Sequence, residues 1–168
     1  MAAWRESKML NLLRRQAPQS DLIRSKLYSQ DDFYPAFLKD LGKCQHEAII
    51  ESPFVTNRRL IALLPVLEKL KLRKVRIVIN TRDPQAQDDE YLRGEARRAL
   101  SKLQHMGVHV LYTVGHHRKL AILDRSILYE GSLNILSQNG SAEVMRRIES
   151  VQLAWEMARF INVDTLIR

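Results

Sequence analysis

A chain of 168 residues has room for one domain with a sizeable core, and its 45% hydrophobic and 27% charged residues are ordinary for a globular protein. Its 27 Lys and Arg against 19 Asp and Glu leave a formal net charge of +8, a bias toward polyanions such as nucleic acid or an anionic membrane surface. A single cysteine, Cys44, excludes an internal disulfide framework and a cysteine-based zinc site, and no apolar run approaches the roughly 18 residues of a membrane span.

In chain order, residues 1–28 read as a basic helical extension or linker, with Leu10, Leu12 and Leu13 among Arg and Lys. "MAAWRESKMLNLLRRQ" is charged throughout and lacks the apolar core of a secretory signal, so a cytoplasmic protein without stable membrane insertion is expected. Residues 29–168 read as the domain proper. "FYPAFLKDLGKC" has helical spacing and ends at Gly42, and "EAIIESPFV" is a buried strand closed by a turn. "NRRLIALLPVLEKLKL" is helical, with Pro65 expected to kink it or to mark its true start. "KVRIVIN" is the next strand, "RDPQAQDDE" a loop, and "YLRGEARRALSKLQHMG" an amphipathic helix stopped by Gly107. Strands follow at "VHVLYT", 117–123 and "ILYEG", the last two joined tightly through Asp124-Arg125-Ser126. "EVMRRI" is a final strand and "SVQLAWEMARFIN" a final helix. Strands alternating with helices imply an α/β domain with a mixed, mostly parallel sheet and helices on both faces.

The chemistry-bearing stretch is 117–134, "HRKLAILDRSILYEGSLN". Strand side chains alternate faces, so His117 and Lys119 project together. An imidazole beside an ammonium suits a phosphodiester: Lys119 neutralises a non-bridging oxygen while His117 attacks phosphorus or moves a proton. Asp124 has the opposite parity, which favours an orienting or structural role. Gly131 permits close backbone approach, Ser132 is a natural cap for a short following helix whose N-terminus attracts anions, and Asn134 adds an amide donor. His116 falls opposite His117 and reads as a bystander, and His105 and His109 carry no assigned role. No metal ligand set is apparent.

The pattern His117-x-Lys119-x4-Asp124-x6-Gly131-Ser132-x-Asn134 resembles the HKD signature of the phospholipase D superfamily. "EAIIESPFVTNRRL" and "KVRIVINTRDP" are similar to that superfamily's first two strands, and residues 45–161 to one half-domain of its fold. The resemblance implies a phosphohistidine intermediate, no metal or other cofactor, and phosphate held by Lys119, Gly131, Ser132 and Asn134. It makes His117, Lys119, Asp124, Ser132 and Asn134 the catalytic set, with Glu143 (or, second, Glu149) orienting the histidine.

Superfamily enzymes use two such motifs around one phosphate, and this sequence carries one. A homodimer that shares the site across a two-fold axis supplies the second. Arg58, Arg59, Arg118, Arg146 and Arg147, with Lys69, Lys71, Arg73 and Lys74, are expected near the site and suit a nucleic-acid backbone. The expectation is therefore a metal-independent nuclease acting on DNA as a homodimer. The alternatives are an incomplete module that binds nucleic acid or a partner chain, and a phospholipase or phosphatidyl transferase.

Overall fold

The computed structural model describes residues 24–137 and 140–166. Their core is one seven-stranded sheet: β1 (Ser25–Ser29), β2 (Glu47–Glu51), β3 (Arg76–Thr81), β4 (His109–Tyr112), β5 (Leu120–Leu123), β6 (Ile127–Gly131) and β7 (Val144–Glu149), in spatial order β1-β7-β6-β5-β2-β3-β4. Helices α1 (Gln30–Leu41), α2 (Asn57–Leu72) and α3 (Glu90–His105) cover one face, and α4 (Val151–Phe160) and α5 (Val163–Leu166) the other.

The mixed α/β architecture agrees with the sequence reading, but the balance of pairings does not. β2–β3 and β3–β4 are parallel, whereas β1–β7, β7–β6, β6–β5 and β5–β2 are antiparallel. A helix long enough for a parallel crossover joins neighbouring strands at β2–β3 and β3–β4, whereas α1 links β1 to a strand that is not beside it. After β4 the chain crosses back to β5 beside β2, then β5, β6 and β7 follow as a meander without an intervening helix among the described residues. Between β5 and β6 the turn is Asp124-Arg125, both left-handed (φ 48° and 51°), closed by Ser126 N–H donating to Leu123 O at 3.0 Å.

Residues 25–28, read as helical, form the edge strand β1 instead. Ser25 pairs with Ile148 and Ser29 with Val144, so a strand nearly the whole chain away overrides the local pattern and the domain begins before residue 29. The rest of the expected N-terminal helix lies outside the described residues. Helix α2 runs unbroken through Pro65, which sits on its exposed side, where water can take the carbonyl that the ring leaves unbonded.

Strand parity sorts the core. Ala48, Ile50, Ile77 and Ile79 pack under α1–α3 with Phe33, Phe37 and Tyr129, whose ring centroids lie 5.1–5.7 Å apart. Ile49, Val78 and Ile122 pack under α4 and α5 with Ala154, Ala158 and Val163. Arg125 ties that second layer down, donating to Glu47 and Asp164 and lying 4.7 Å from the Trp155 ring. Among the described residues no helix is long and apolar enough to cross a membrane.

Candidate phosphate site

The site lies where the chain leaves β4, turns, and enters β5. Thr113 N–H donates to Thr81 O at 3.0 Å and His116 N–H to Thr113 O at 3.2 Å, closing a tight turn through Gly115, whose φ of 67° suits glycine. Regular pairing begins only at Leu120, so residues 117–119 precede the strand that the sequence suggested. The alternation persists even so. His116 is buried with Nε2 3.2 Å from Asn80 O, His117 is exposed, Arg118 turns back to Glu51, and Lys119 returns to His117.

Lys119 Nζ lies 3.0 Å from His117 Nδ1 and donates to His117 O at 2.8 Å. An ammonium only donates, so Nδ1 is the acceptor and, in the neutral ring, the proton is on Nε2. Burial holds the Lys119 pKa below its ordinary value, and the charge of Glu143 opposes that shift. Glu143 thus stands within electrostatic reach of Lys119, while its carboxylate accepts from Ser141 Oγ at 3.3 Å. Glu149 is at the far end of β7, held by Arg147 at 3.3 Å.

β6 ends beside this pair, with Gly131 N–H donating to Lys119 O at 3.2 Å. A Cβ on Gly131 would overlap the Val144 carbonyl and come within 2.9 Å of Met145 Cα, so only glycine lets β7 approach this closely. Ser132 does not cap a helix. Its N–H donates to Val144 O at 2.9 Å and its Oγ accepts from Val144 N–H at 3.1 Å, which extends the β6–β7 ladder. A single turn follows, closed by Ser137 N–H to Asn134 O at 3.1 Å. Buried Leu133, Ile135 and Leu136 anchor it. Tyr34 Oη donates to Ile135 O at 3.0 Å, and Ser52 Oγ accepts from Leu136 N–H at 3.1 Å. Asn134 Oδ1 is buried with no hydrogen-bond partner among the described residues.

Asp124 does not join the group. It sits at the opposite end of β5, where its carboxylate accepts N–H bonds from Gln45 (2.8 Å), His46 (2.8 Å) and Glu47 (2.9 Å). Three backbone N–H groups converge on this one carboxylate, which is scaffold work rather than chemistry.

The arginines divide. Arg146 lines a cavity of about 510 Å³ beside Lys119 and Gly131, together with Leu27, Val144 and Phe160. Arg147, its neighbour on the strand, points to the other face, and Asp40 (2.6 Å) and Glu149 occupy its guanidinium. Arg59 lies 3.6 Å over the Tyr34 ring and Arg58 is exposed, both in the first turn of α2. Lys71 and Arg73 are at the opposite end of the sheet, donating to Gly107 O and Gly42 O. With Lys69 and Lys74 they mark the end of α2, away from His117, contrary to the expectation from sequence.

Three polar residues behind the site escaped the sequence reading. Glu51, Asn80 and Ser52 end the apolar runs "EAII" and "IVI" and are at most 2% exposed. A polar residue closing a buried strand was the available signal.

A family model described as "Cardiolipin synthase, PLD-like domain" matches residues 37–164. No curated protein sequence matches the chain. Among solved structures, the chain is similar to Nuc, a phospholipase D family member from Salmonella typhimurium, at 14% identity and TM-score 0.65, covering 81% of this chain and 90% of that one. NucT from Helicobacter pylori aligns at 14% identity and TM-score 0.65 over 85% and 94% of the two chains. Phosphatidylserine synthase from Haemophilus influenzae aligns at 16% identity and TM-score 0.60 over 86% of this chain and 38% of that one.

Proposed function

Because the chain belongs to the phospholipase D-like domain family, we propose that it is a metal-independent phosphodiester hydrolase acting on DNA, with His117 as nucleophile in a site completed by a second copy. The observation that carries this reading is the meeting of His117 and Lys119 beside the Gly131-Ser132-x-Asn134 segment.

Lys119 turns from His117 to a non-bridging phosphate oxygen, which releases Nδ1 to hold the ring proton and bares Nε2. His117 Nε2 then bonds to phosphorus as the bond to the leaving oxygen breaks, and the second copy's His117 donates a proton to that oxygen. Water next displaces the histidine, the P–N bond breaking as the new P–O bond forms, while the second imidazole takes the water's proton. Asn134 and the Ser132 segment hold the phosphate, and Glu143 steadies Lys119. No step uses a metal.

A second copy is supported by the apolar band beside Lys119: Leu27 is 53%, Val144 46% and Phe160 77% exposed. DNA is supported by the net charge of +8, with Arg58, Arg59 and Arg146 suited to phosphate contacts, and by the likeness to Nuc and NucT. The same apolar cavity favours a second reading, turnover of a lipid phosphodiester.

The test is plasmid nicking in excess EDTA by the parent and by His117→Ala, with the mass of each determined in solution. EDTA-resistant nicking by a dimeric parent, and none by a dimeric variant that still binds DNA, is expected. Equal cleavage by both would refute the mechanism. Detergent-stimulated hydrolysis of phosphatidyl vesicles without nicking would favour the lipid reading.

A further inference from the structure

Resting on the reading of His117 as the reacting group, we propose that Glu51, acting through Arg118, is the positioning residue of this site. Glu51 ends β2 on the face that packs under α4, in register with Asn80 on β3 and Leu120 on β5, and is 1% exposed. A carboxylate in that row is costly to bury, and an apolar residue of similar size would serve stability alone as well or better.

Its partners show what the charge does. Arg118 donates Nε–H and Nη2–H to the two carboxylate oxygens, and Asn80 Nδ2 donates to Oε1 at 2.9 Å. Asn80 is fixed in turn, since its Oδ1 accepts from Thr113 Oγ1 at 3.0 Å. Its backbone oxygen faces His116 Nε2 at 3.2 Å, and a carbonyl only accepts, so His116 carries its proton there. Burial, the leading influence, lowers the His116 pKa and favours that neutral ring, although Glu51 pulls the other way.

The two residues flanking His117 are therefore both drawn inward onto the ends of β2 and β3. His117, between them, projects to the opposite side, where Lys119 meets it. The fork of Arg118 matters more than its charge, because two parallel bonds fix an orientation that a single ammonium contact does not. Arg118, expected to contact nucleic acid, spends Nε and Nη2 on this clamp while its side chain also lines the cavity beside Lys119.

The test uses Glu51→Gln and Arg118→Lys in the full chain. The first readout needs no activity: the His117 Cε1–H resonance, assigned by its loss in His117→Ala. We expect one sharp signal in the parent and broadening or a second signal in both variants, with other changes confined to residues near 113–119. The second readout is hydrolysis of bis(p-nitrophenyl) phosphate, where kcat should fall about 10- to 100-fold with KM little changed. Arg118→Lys keeps the charge and loses the fork, so full activity in it would overturn the clamp, as would a single unchanged His117 signal in both variants. If Glu51→Gln does not fold, Arg118→Lys decides by the same criteria. A parent that hydrolyses nothing would sink the enzyme reading, while the His117 signal still decides the clamp.

Discussion

Replacing Asp124 asks whether the last residue of the His-x-Lys-x4-Asp pattern builds the scaffold or takes part in the chemistry. Its carboxylate accepts three backbone N–H bonds, from Gln45, His46 and Glu47, at 2.8–2.9 Å. A shielded bond to a charged oxygen contributes about 1.5–3 kcal/mol, but Gln45 and His46 are exposed and water recovers part of any loss. About 1 kcal/mol per bond, roughly 3 kcal/mol in all, is the expected cost of Asp124→Ala. Asp124 also holds φ 48°, which alanine reaches at a further cost of about 1 kcal/mol. A loss of about 4 kcal/mol in a chain of this size lowers Tm by roughly 8–16 °C. Asp124→Asn keeps one acceptor oxygen and tolerates the turn, and should lose about 1–2 kcal/mol. Thermal unfolding by circular dichroism, beside phosphodiester hydrolysis where all three proteins are folded, gives both quantities. The expected order of Tm is parent, Asn, Ala, with turnover per folded molecule near the parent value throughout. An Asn variant that melts with the parent yet loses turnover would overturn the scaffold role and put the carboxylate into the reaction.

Gly131→Ala drives a Cβ into the Val144 carbonyl and should cost about 3 kcal/mol or more in urea unfolding by parting β6 from β7; a neutral result would refute the close approach. Arg146→Ala should weaken DNA binding and reduce the salt slope by about 1, whereas Arg147→Ala should lower Tm and leave the slope alone, because Asp40 already holds Arg147. Burial, assisted by the charge of Asp124, pushes the Cys44 thiol up to about 12 from an ordinary 9.0. A raised folded-state pKa stabilises fully below pH about 9 and is lost as pH climbs toward 12, so Cys44→Ala should flatten the alkaline limb of stability relative to the parent.

Spacing alone placed the pattern His117, Lys119, Gly131, Ser132 and Asn134 on one short stretch, because period-two alternation and glycine's tolerance of close contact are local properties. It also located each of the interior strands from apolar runs such as "AII" and "IVI". The tight β5–β6 connection was legible for the same reason, since a two-residue turn is decided by its own backbone.

Whatever depended on a distant partner was decided by the tertiary structure. β1 is a strand because β7 offers an open edge, and the sheet is mostly antiparallel because β5, β6 and β7 form a meander that β1 and β2 flank. Period two says that Arg146 and Arg147 face opposite ways, but not which of them meets Asp40 and which lines the cavity by Lys119. The pairing of Glu51 with Arg118 joins residues 67 apart in sequence, and Asp124 reaches its amides across 77 to 79. A carboxylate's role is set by what surrounds it, and only the fold brings those surroundings together.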